Sequence, residues 1–534
     1  MAEKFLLKDL SSYHIGTFAD IIYRHAIFRP DDEAFVSGDR RITFSQYNAR
    51  ANRLVHALHA LGLEKGDVLG ILSWNCLEYM DVHGAAMKGG FVSSPFNPRL
   101  HRKELEYLIN YSEAKALFVG PEIVETVDAL RPVLPNVKQY ISFEGPFRDM
   151  TPLKDLLEAY PSDEPGSEVG PDDPVVIFYT SGTTGVPRGA LYSNARKLSA
   201  TRIKNLEMGI RGNDIQLQVL PLFHIGGDSH VWPFFCAGGC NVILPQRSFD
   251  PNAALLAIEQ EKTTDLQIVP PQLGAMMAEQ AQRGYDLSSL KRIYYAASPM
   301  PTELLRQGLE MFGPIFSQGY GQTESGPQIC SLPRRAHQVL DLPEEEQHVL
   351  LSCGQPSPGV QVRIIDAQKQ DVGPHEVGEV IARSQSIMLE YWRRPEETRE
   401  AIVDGWLHTG DLGYYDEKGF IYLVDRKKDM IVSGGENVYS REVEEVLYKH
   451  EAVAEAAVIG VPDPVWVERV HAEVVLRKEA PPVTEEDLIA FCKEYIASYK
   501  TPKSIAFAPE LPKNPQGKIL KREIKSRYQE PKDQ

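Results

Sequence analysis

The stretch VVIFYTSGTTGVPRG, residues 175–189, gives the strongest indication of the fold in this chain. Its first five residues form a short apolar run of the kind that builds a buried strand. The ten residues that follow contain three glycines, which let a backbone approach an anion closely, together with hydroxyl and guanidinium donors. No Gly-Lys-Ser/Thr ends the loop, so it is not a Walker loop. The stretch therefore predicts a strand followed by a polyphosphate-binding turn of another kind.

Short apolar runs alternate with helical stretches further along the chain. The runs cover residues 216–220, 241–244, 266–269 and 293–297, and helical stretches include residues 253–260 and 302–311. Nearer the N-terminus, Thr43 and Gln46 have capping-box spacing before an apolar stripe of helical period. Strands separated by helices are typical of mostly parallel sheets covered by helices. The chain is therefore predicted to be an α/β protein.

Composition limits the class of protein. The 534 residues include 57 Lys and Arg against 74 Asp and Glu, a formal net charge of −17. This acidic balance argues against nucleic acid or an anionic membrane as the partner of the whole body. The N-terminal residues MAEKFLLKDL contain no apolar run of signal-peptide length, and proline and glycine interrupt the longest uncharged stretch, residues 229–246. We therefore expect no membrane span and a cytoplasmic location.

The composition changes after about residue 425, which predicts two domains. Residues 1–425 would form a large N-terminal body, residues 426–428 a polar hinge, and residues 429–534 a small, mobile α+β domain. In the small domain we expect helices over residues 441–450 and after Thr484, strands over 453–461 and 472–476, and a terminal basic loop.

The segment from Gln318 to Glu324 follows another apolar run and has a tyrosine between two glycines. Tyr320 could offer a flat face for stacking a base. Thr323 could reach a phosphate oxygen, and the Glu324 carboxylate could hold a hard cation such as Mg²⁺. A core tyrosine beside a solvated glutamate is the open alternative.

Two later segments carry charged groups with a chemical use. The Asp411 carboxylate could accept hydrogen bonds from two ribose hydroxyls, and Arg426 could donate to a hydroxyl or phosphate. A turn-capping aspartate and a surface arginine are the alternative. Lys518 is held by Gly and Pro turns in PKNPQGKILKRE, residues 512–523, and could swing over an active site. Otherwise it is one more solvated charge in a basic segment.

Together, in this order and spacing, the four segments resemble the adenylate-forming superfamily. Its members are acyl-CoA synthetases, the adenylation domains of peptide synthetases and beetle luciferases. The resemblance runs from the helix near Thr43 to Lys518, and residues 434–438 and 460–463 resemble stand-alone acyl-CoA synthetases. It implies a two-step reaction, in which a carboxylate attacks the α-phosphate of MgATP to give acyl-AMP and pyrophosphate, and the CoA thiol then displaces AMP.

The resemblance also implies roles for individual residues at the nucleotide. The phosphate loop would grip the β- and γ-phosphates through Thr180, Ser181, Gly182, Thr183, Thr184, Gly185 and Arg188. Tyr320 would pack on adenine in a pocket lined by Ala297, Ser298, Pro299, Gly319 and Gly321. Thr323 would touch the α-phosphate, Glu324 and Thr180 would hold Mg²⁺, and Asp411 and Arg426 would hold the ribose.

The same resemblance assigns the moving parts. Lys518 would bridge the substrate carboxylate and the α-phosphate. Rotation about Lys428 would then withdraw it and bring Ser433, Gly434 and Gly435 in to line the CoA channel. The chain departs from the family pattern at Arg188, where Lys is usual, at Ser440, where Pro is usual, and at Val467, where Gly is usual.

The acid pocket is predicted from the segment around His224, which by itself could be an ordinary packed histidine. The resemblance makes His224 a catalytic gating residue, with Ile225, Gly227, Trp232 and Ala296 as pocket residues and with Gly226 and Gly227 leaving room. These residues favour an apolar acid, medium-chain aliphatic or aryl, over an amino acid.

Other functions stay open at this stage. The chain could deliver the acyl group to a carrier protein, could hydrolyse or oxidise the adenylate, or could be a nucleotide sensor without activity. The expected small-molecule partners are a carboxylic acid, ATP and CoA, without nucleic acid, and a homodimer is left open.

Overall fold

The computed structural model describes residues 15–180, 187–298, 300–326, 328–339, 342–427, 429–433, 436–463, 466–477, 480–513 and 518–528. Two large sheets, a smaller antiparallel sheet and a separate C-terminal sheet carry the fold. Within these ranges, no helix combines the length and apolar character needed to cross a membrane.

The first large sheet has nine strands, and six neighbouring strands in it are parallel. In spatial order its strands are Gln355–Pro356, Cys330–Leu332, Phe316–Tyr320, Arg292–Tyr295, Asp265–Ile268, Ile215–Gln218, Cys240–Ile243, Glu33–Ser37 and Arg40–Thr43. The parallel strands end next to residues 219–224, 296–298 and 321–324, so these loops meet at one edge of the sheet. Ligands bind outside this edge in open α/β sheets.

The second large sheet has eight strands, and six of them are parallel. In spatial order they are Glu390–Tyr391, Arg188–Ser193, Pro174–Thr180, Val92–Phe96, Val68–Leu72, Ala116–Val119, Gln139–Ser142 and Thr151–Pro152. The apolar run of the phosphate-loop motif is the central strand Pro174–Thr180. Its carboxyl end therefore presents Thr180 at the functional edge of this sheet.

Helices fill the space between the two sheets and cover their outer faces. In chain order, those of the large body are Phe18–Phe28, Phe44–Ala60, Leu77–Gly89, Arg102–Ser112, Val124–Leu130, Leu153–Ala159, Asn194–Met208, Ile225–Ala237, Pro251–Glu261, Pro270–Arg283, Thr302–Phe312, Glu344–Gln347 and Pro395–Ala401. All 13 residues of Leu77–Gly89 are buried, and its core combines side chains from both sheets. Removing this apolar surface from water is the main term that holds the sheets together.

A third, antiparallel sheet closes the large body. Its strands are Gln361–Ile365, Gly378–Arg383, Trp406–Tyr415, Ile402–Val403 and Ile421–Arg426. The last of these pairs with Trp406–Tyr415 so that Asp411 lies opposite Arg426. Two motifs that are 15 residues apart in the chain are thereby brought side by side.

The small domain has its own sheet and its own core. The strands are Glu436–Val438, Ile431–Ser433, Val467–Leu476, Val453–Asp463 and Ser504–Phe507, and the helices are Ser440–Tyr448, Glu485–Tyr495 and Lys521–Ser526. Two clusters of buried side chains, all between residues 431 and 524, form the core. The predicted α/β body with a smaller α+β domain is confirmed.

The local predictions are confirmed at both capping boxes and corrected elsewhere. Thr43 with Gln46 and Thr484 with Asp487 make reciprocal caps at the starts of their helices. The terminal basic segment, predicted to be a loop, contains the strand Ser504–Phe507 and the helix Lys521–Ser526, because apolar residues such as Ile505 and Ile524 are buried in the core.

Val467 gives a physical reason for the usual glycine at its position. Its φ is +69°, in the left-handed region that β-branched residues disfavour, and its side chain is exposed. The substitution of valine for the usual glycine therefore places backbone strain beside the strand that begins at this residue.

Candidate functional site

One large cavity, of about 1840 Å³, opens where the carboxyl ends of both parallel sheets face the third sheet and the small domain. Predicted site residues from all of these parts line it. They are Thr180, Arg188, His224, Ile225, Ala296, Ala297, Ser298, Gly319, Tyr320, Gly321, Thr323, Glu324, Asp411, Arg426 and Lys518. The fold therefore brings together residues that are more than 300 positions apart in the chain.

Asp411 is the centre of a hydrogen-bond network at one end of the cavity. Its Oδ2 accepts from the Tyr320 hydroxyl at 2.7 Å and from Gln322 Nε2 at 2.8 Å. Its Oδ1 lies 3.4 Å from Arg426 Nε, and its backbone N–H donates to Thr409 Oγ1. Tyr320 is only 9% exposed. The ring lines the cavity but is also packed in a core cluster, and Asp411 holds its hydroxyl, so it is less open than its flanking glycines predict.

Glu324 and Arg188 are connected through Tyr391, which the sequence analysis missed. The Tyr391 hydroxyl donates to Glu324 Oε1 at 2.7 Å, and the Arg188 guanidinium carbon lies 4.4 Å from the centre of the Tyr391 ring. Arg188 Nε and Thr180 Oγ1 are buried and have no hydrogen-bond partner among the described residues. Buried polar atoms of this kind are normally satisfied, so both fit a bound anion. The aromatic support suits arginine's planar head better than the usual lysine.

Two backbone features shape the adjoining pocket. Ala297 has a φ of +73°, a strained conformation for a residue with a side chain, and it lies in the loop between Ala296 and Ser298. A Cβ at Gly319 would lie 1.5 Å from the Tyr294 hydroxyl oxygen, so only glycine fits there. These features keep the backbone close to whatever occupies the pocket.

His224 caps the helix Ile225–Ala237 and is electrostatically coupled to Lys518. Its Nδ1 accepts from the Gly226 backbone N–H at 3.1 Å. Desolvation and the Lys518 ammonium lower the pKa of His224 to about 4. The imidazole is therefore neutral at neutral pH, with its proton on Nε2. Lys518, from the small domain, lines the same cavity as His224.

The ends of the lysine segment are held together. Lys513 and Ile519 form an isolated antiparallel bridge, and the Leu520 N–H donates to Pro512 O at 2.8 Å. Lys518 thus projects from a segment that is closed at its base.

The small domain also contacts the large body close to the predicted hinge. The Ser440 N–H donates to Asp425 Oδ2 at 2.6 Å, and Arg441 Nη1 donates to Leu423 O at 2.9 Å. Within the small domain, Lys521 pairs with Glu444 and donates to Ser440 Oγ, which supports the start of the helix that makes these contacts. The bonds to Asp425 and Leu423 hold the small domain in the orientation in which Lys518 lines the cavity.

Two predicted acid-pocket residues, Gly227 and Trp232, are not among the described residues that line the large cavity. A Cβ at Gly227 would lie 2.2 Å from the Pro221 carbonyl oxygen, so this glycine allows close packing rather than leaving room for substrate. Trp232 is 1% exposed and lines a smaller neighbouring cavity, where its indole donates to Asp228. Ile225 and Ser229 line both cavities, and Gly226 lines the large one.

The wall of the large cavity also contains polar residues that the sequence analysis did not anticipate. Lys204, Gln267, Tyr294 and Gln328 all line the cavity, and Lys204 is only 4% exposed. Its Nζ donates to Gln267 Oε1 at 2.7 Å and lies 4.4 Å from the centre of the Tyr294 ring.

Several predicted site residues lie outside the residues that the structure describes. They are Ser181, Gly182, Thr183, Thr184, Gly185, Pro299, Lys428, Gly434 and Gly435. Ser433, predicted to line the CoA channel, is buried in a strand pair with Glu436 and is not among the described residues that line the cavity.

The groups suited to a magnesium ion in this cavity are Glu324 and Thr180. Within the described ranges, His, Cys, Asp and Glu side chains form no group of three or more that could hold a metal by themselves. Mg²⁺ is commonly held by one or two carboxylates plus substrate phosphates. Glu324, with one oxygen engaged by Tyr391, and the unsatisfied Thr180 hydroxyl fit that pattern.

Two sequence families match the chain. The AMP-binding enzyme family matches residues 22–392, and the AMP-binding enzyme C-terminal domain matches residues 442–518. A fatty acid–[acyl-carrier-protein] ligase of Streptomyces coeruleorubidus is 35% identical over 514 residues, covering 94% of this chain and 95% of the relative. A feruloyl-CoA synthase of an Amycolatopsis species is 35% identical over 506 residues, covering 95% and 98%.

A solved structure resembles the whole fold. The crystal structure of an anthranilate CoA ligase in complex with anthranoyl-AMP has a TM-score of 0.88 and 27% sequence identity, covering 98% of this chain and 99% of that chain.

Proposed function

Because the chain belongs to the adenylate-forming superfamily of AMP-binding enzymes and is an AMP-forming acid–thiol ligase, we propose that it converts a carboxylic acid with an apolar body to its CoA thioester. The acid is medium-chain aliphatic or aryl. ATP, Mg²⁺ and CoA take part in the reaction.

The observation that carries this proposal is the meeting of Lys518 and His224 in the same cavity as Asp411 and Glu324. In the first step a carboxylate must approach a polyphosphate, so the main obstacle is repulsion between two anions. A preorganised cation at the meeting point lowers that barrier most effectively. Lys518 supplies this cation, and the neutral His224 beside it can donate a hydrogen bond from Nε2 without competing for the anion.

The bond changes of the first step are those of a phosphoryl substitution. A carboxylate oxygen forms a bond to the α-phosphorus as the bond to the bridging oxygen of pyrophosphate breaks. Lys518 contacts both the incoming carboxylate and the α-phosphate, and Thr323 donates to the α-phosphate. Asp411 accepts hydrogen bonds from the ribose hydroxyls, while Tyr320 and Gln322 hold its carboxylate in place.

Thr180 and Arg188 act on the leaving pyrophosphate. Their buried, unsatisfied donors support this role. Glu324 and Thr180 would hold Mg²⁺, which, when bound, neutralises phosphate charge. Tyr391 orients both Glu324 and Arg188, and therefore links the cation-binding and anion-binding groups.

In the second step the CoA sulfur attacks the acyl carbon, a thioester bond forms, and the bond from that carbon to the AMP oxygen breaks. We propose that residues 426–428 act as a hinge between domains 1–425 and 429–534, with Lys428 as the pivot. Rotation removes Lys518 from the cavity and brings residues 433–435 to the CoA channel.

A carrier protein is the second candidate acceptor, supported by the similarity to the Streptomyces carrier-protein ligase. Acid-dependent exchange of labelled pyrophosphate into ATP tests the first step over a panel of acids. The rate of AMP release is then measured with CoA and with a phosphopantetheinylated carrier protein, and the comparison identifies the acceptor. We expect acid-dependent pyrophosphate exchange, and we expect AMP release to depend on CoA. Absence of exchange with every acid would refute the proposed function.

A further inference from the structure

The helix Asn194–Met208 buries two lysines with different surroundings. Lys197 forms an ion pair with Asp228, whose other oxygen accepts from the Trp232 indole. Lys204, seven residues later, makes no ion pair with any described carboxylate, and Gln267 Oε1 is its hydrogen-bond acceptor. Because unpaired buried charges are costly, they are rare without a compensating partner.

Lys204 lies on the wall of the large cavity, where a ligand can reach it. Gln267, Tyr294 and Gln328 line the same part of the cavity. The Tyr294 hydroxyl donates to Gln328 Oε1 at 3.5 Å, and the Gln328 amide donates to Ser357. On the side of the large cavity, these groups beside Lys204 are neutral and polar, and the missing component is an anion. On its other side Lys204 lines a smaller cavity with Lys197 and Asp228, which already pair with each other.

The position of Lys204 indicates how far this anion lies from the reacting carboxylate. His224 is the N-cap of the helix Ile225–Ala237, and His230 lies six residues further along it, a rise of roughly 9 Å at about 1.5 Å per residue. His230 is stacked on Tyr294, and Lys204 Nζ lies 4.4 Å from the centre of the same ring. Lys204 therefore lies at the level of His230, whereas His224, which lines the cavity with Lys518, lies at the start of the helix.

We propose that Lys204 binds a second carboxylate at the far end of the acid, so that the substrates are dicarboxylic acids with an apolar body of about this length. The proposal rests on the proposed function and names its substrate class. One carboxylate reacts beside Lys518, and the other pairs with Lys204 and accepts further hydrogen bonds from the amide groups of Gln267 or Gln328. Because the pair between this carboxylate and Lys204 is charge-assisted and shielded from water, the pocket should select a dicarboxylic acid strongly over an acid that ends in a methyl group.

Matched acids test this assignment. The probes are the linear dicarboxylic acids from hexanedioic to decanedioic acid, each beside the monocarboxylic acid of the same carbon number, with 4-carboxycinnamic acid beside cinnamic acid. The readout is acid-dependent pyrophosphate exchange, giving kcat and KM separately. For the wild type we expect kcat/KM to be about 10–100 times higher for the best diacid than for its matched monoacid, the range for a hydrogen bond to a charged group.

Lys204→Met and Lys204→Gln remove the charge and keep most of the volume. Both are expected to raise KM for the diacid about 10–100-fold, with little change in kcat and an unchanged or lower KM for the monoacid. Lys154→Met, which removes an exposed lysine, is the matched control. Thermal unfolding establishes that the variants are folded. Because methionine is apolar and glutamine is polar, the test can still be made if one of the two variants does not fold.

The outcomes separate the two proposals. Monoacids preferred at every length, or equal KM changes for both acids in the Lys204 variants, would overturn the substrate class and leave the ligase function intact. Exchange with no acid of any kind would overturn the proposed function, and the inference with it. Reversed preference in both variants supports the second carboxylate.

Discussion

The end of the cavity proposed to bind the nucleotide (the nucleotide end) contains the Asp411 carboxylate, which protein groups already hydrogen-bond. The end proposed to bind the far part of the acid (the acid end) contains the Lys204 ammonium, which has no anionic partner among the described residues. Tyr320, Gln322 and Arg426 hold Asp411 in one position before any ligand arrives. Gln267 and Tyr294 orient Lys204 without neutralising it.

The nucleotide end is therefore preorganised for its ligand, whereas the acid end selects between ligands. A carboxylate fixed by several donors positions ATP at little entropic cost on binding. A cation that lacks a counter-charge gains most from the ligand that supplies it, and therefore discriminates between ligands. Substitutions at the nucleotide end should lower activity with every acid, while changes at the acid end should alter the choice of acid.

Lys518→Ala should have the largest effect. We expect adenylation to slow by about 10²–10³-fold with every acid, because one preorganised charge is lost at the meeting point of two anions. Thioester formation from supplied acyl-AMP should slow much less, and rapid-quench measurement of each half-reaction provides the comparison. The control is Lys525→Ala, which removes a lysine seven residues after Lys518 that pairs with Glu468. Equal losses in both half-reactions would contradict the role of Lys518.

Asp411→Ala should raise KM for ATP by about 10–100-fold, the value of one or two hydrogen bonds to a charged group. The increase should be the same for diacids and monoacids, since the acid end is untouched. Asp371→Ala removes an exposed carboxylate paired with Arg363 in the same sheet and is the matched control. A change in acid preference without a change in KM for ATP would break the division between the two ends.

The two ends also differ in how far sequence could predict them. Asp411, Arg426, Thr323 and Glu324 lie in contiguous motifs, and strand pairing then places Asp411 opposite Arg426. The residues around Lys204 come from separate elements, with Gln267 63 positions away, and no local pattern links them.

The acid-pocket residues show the same dependence on packing. Ile225, Ser229 and Trp232 share one face of their helix and line the smaller cavity together, and Ile225 and Ser229 also line the large one. Gly227 lies on another face of the helix, against the Pro221 carbonyl oxygen. The fold class could be predicted because strand and helix periodicity is local. The far end of the pocket could not be predicted, because it depends on how distant elements pack.

The acid end should respond to pH near neutrality. Burial lowers the pKa of Lys204 to about 7, so its charge is present below that pH and is lost above it. His230 and Tyr294 face it, but burial keeps the pKa of His230 well below 6.5 and raises that of Tyr294 well above 10, so neither titrates in this range. KM for a diacid should therefore rise about fivefold between pH 7 and 8, while KM for the matched monoacid stays level. Parallel curves for both acids, measured by pyrophosphate exchange, would count against a charged Lys204.

The smallest effect concerns the bond that holds Lys518 at the cavity. Ser440→Pro removes the N–H that donates to Asp425 but leaves helix geometry intact, because Ser440 is the first residue of its helix, where proline fits. Loss of this hydrogen bond should destabilise the domain orientation that places Lys518 at the cavity by about 1 kcal/mol. Adenylation should then slow a few-fold with every acid, while thioester formation should be unchanged or faster. Ser440→Ala keeps the N–H and removes only the contact with Lys521. Both variants lack the hydroxyl, so if alanine and proline slow adenylation equally, the bond from the Ser440 N–H to Asp425 does not hold the small domain against the large body.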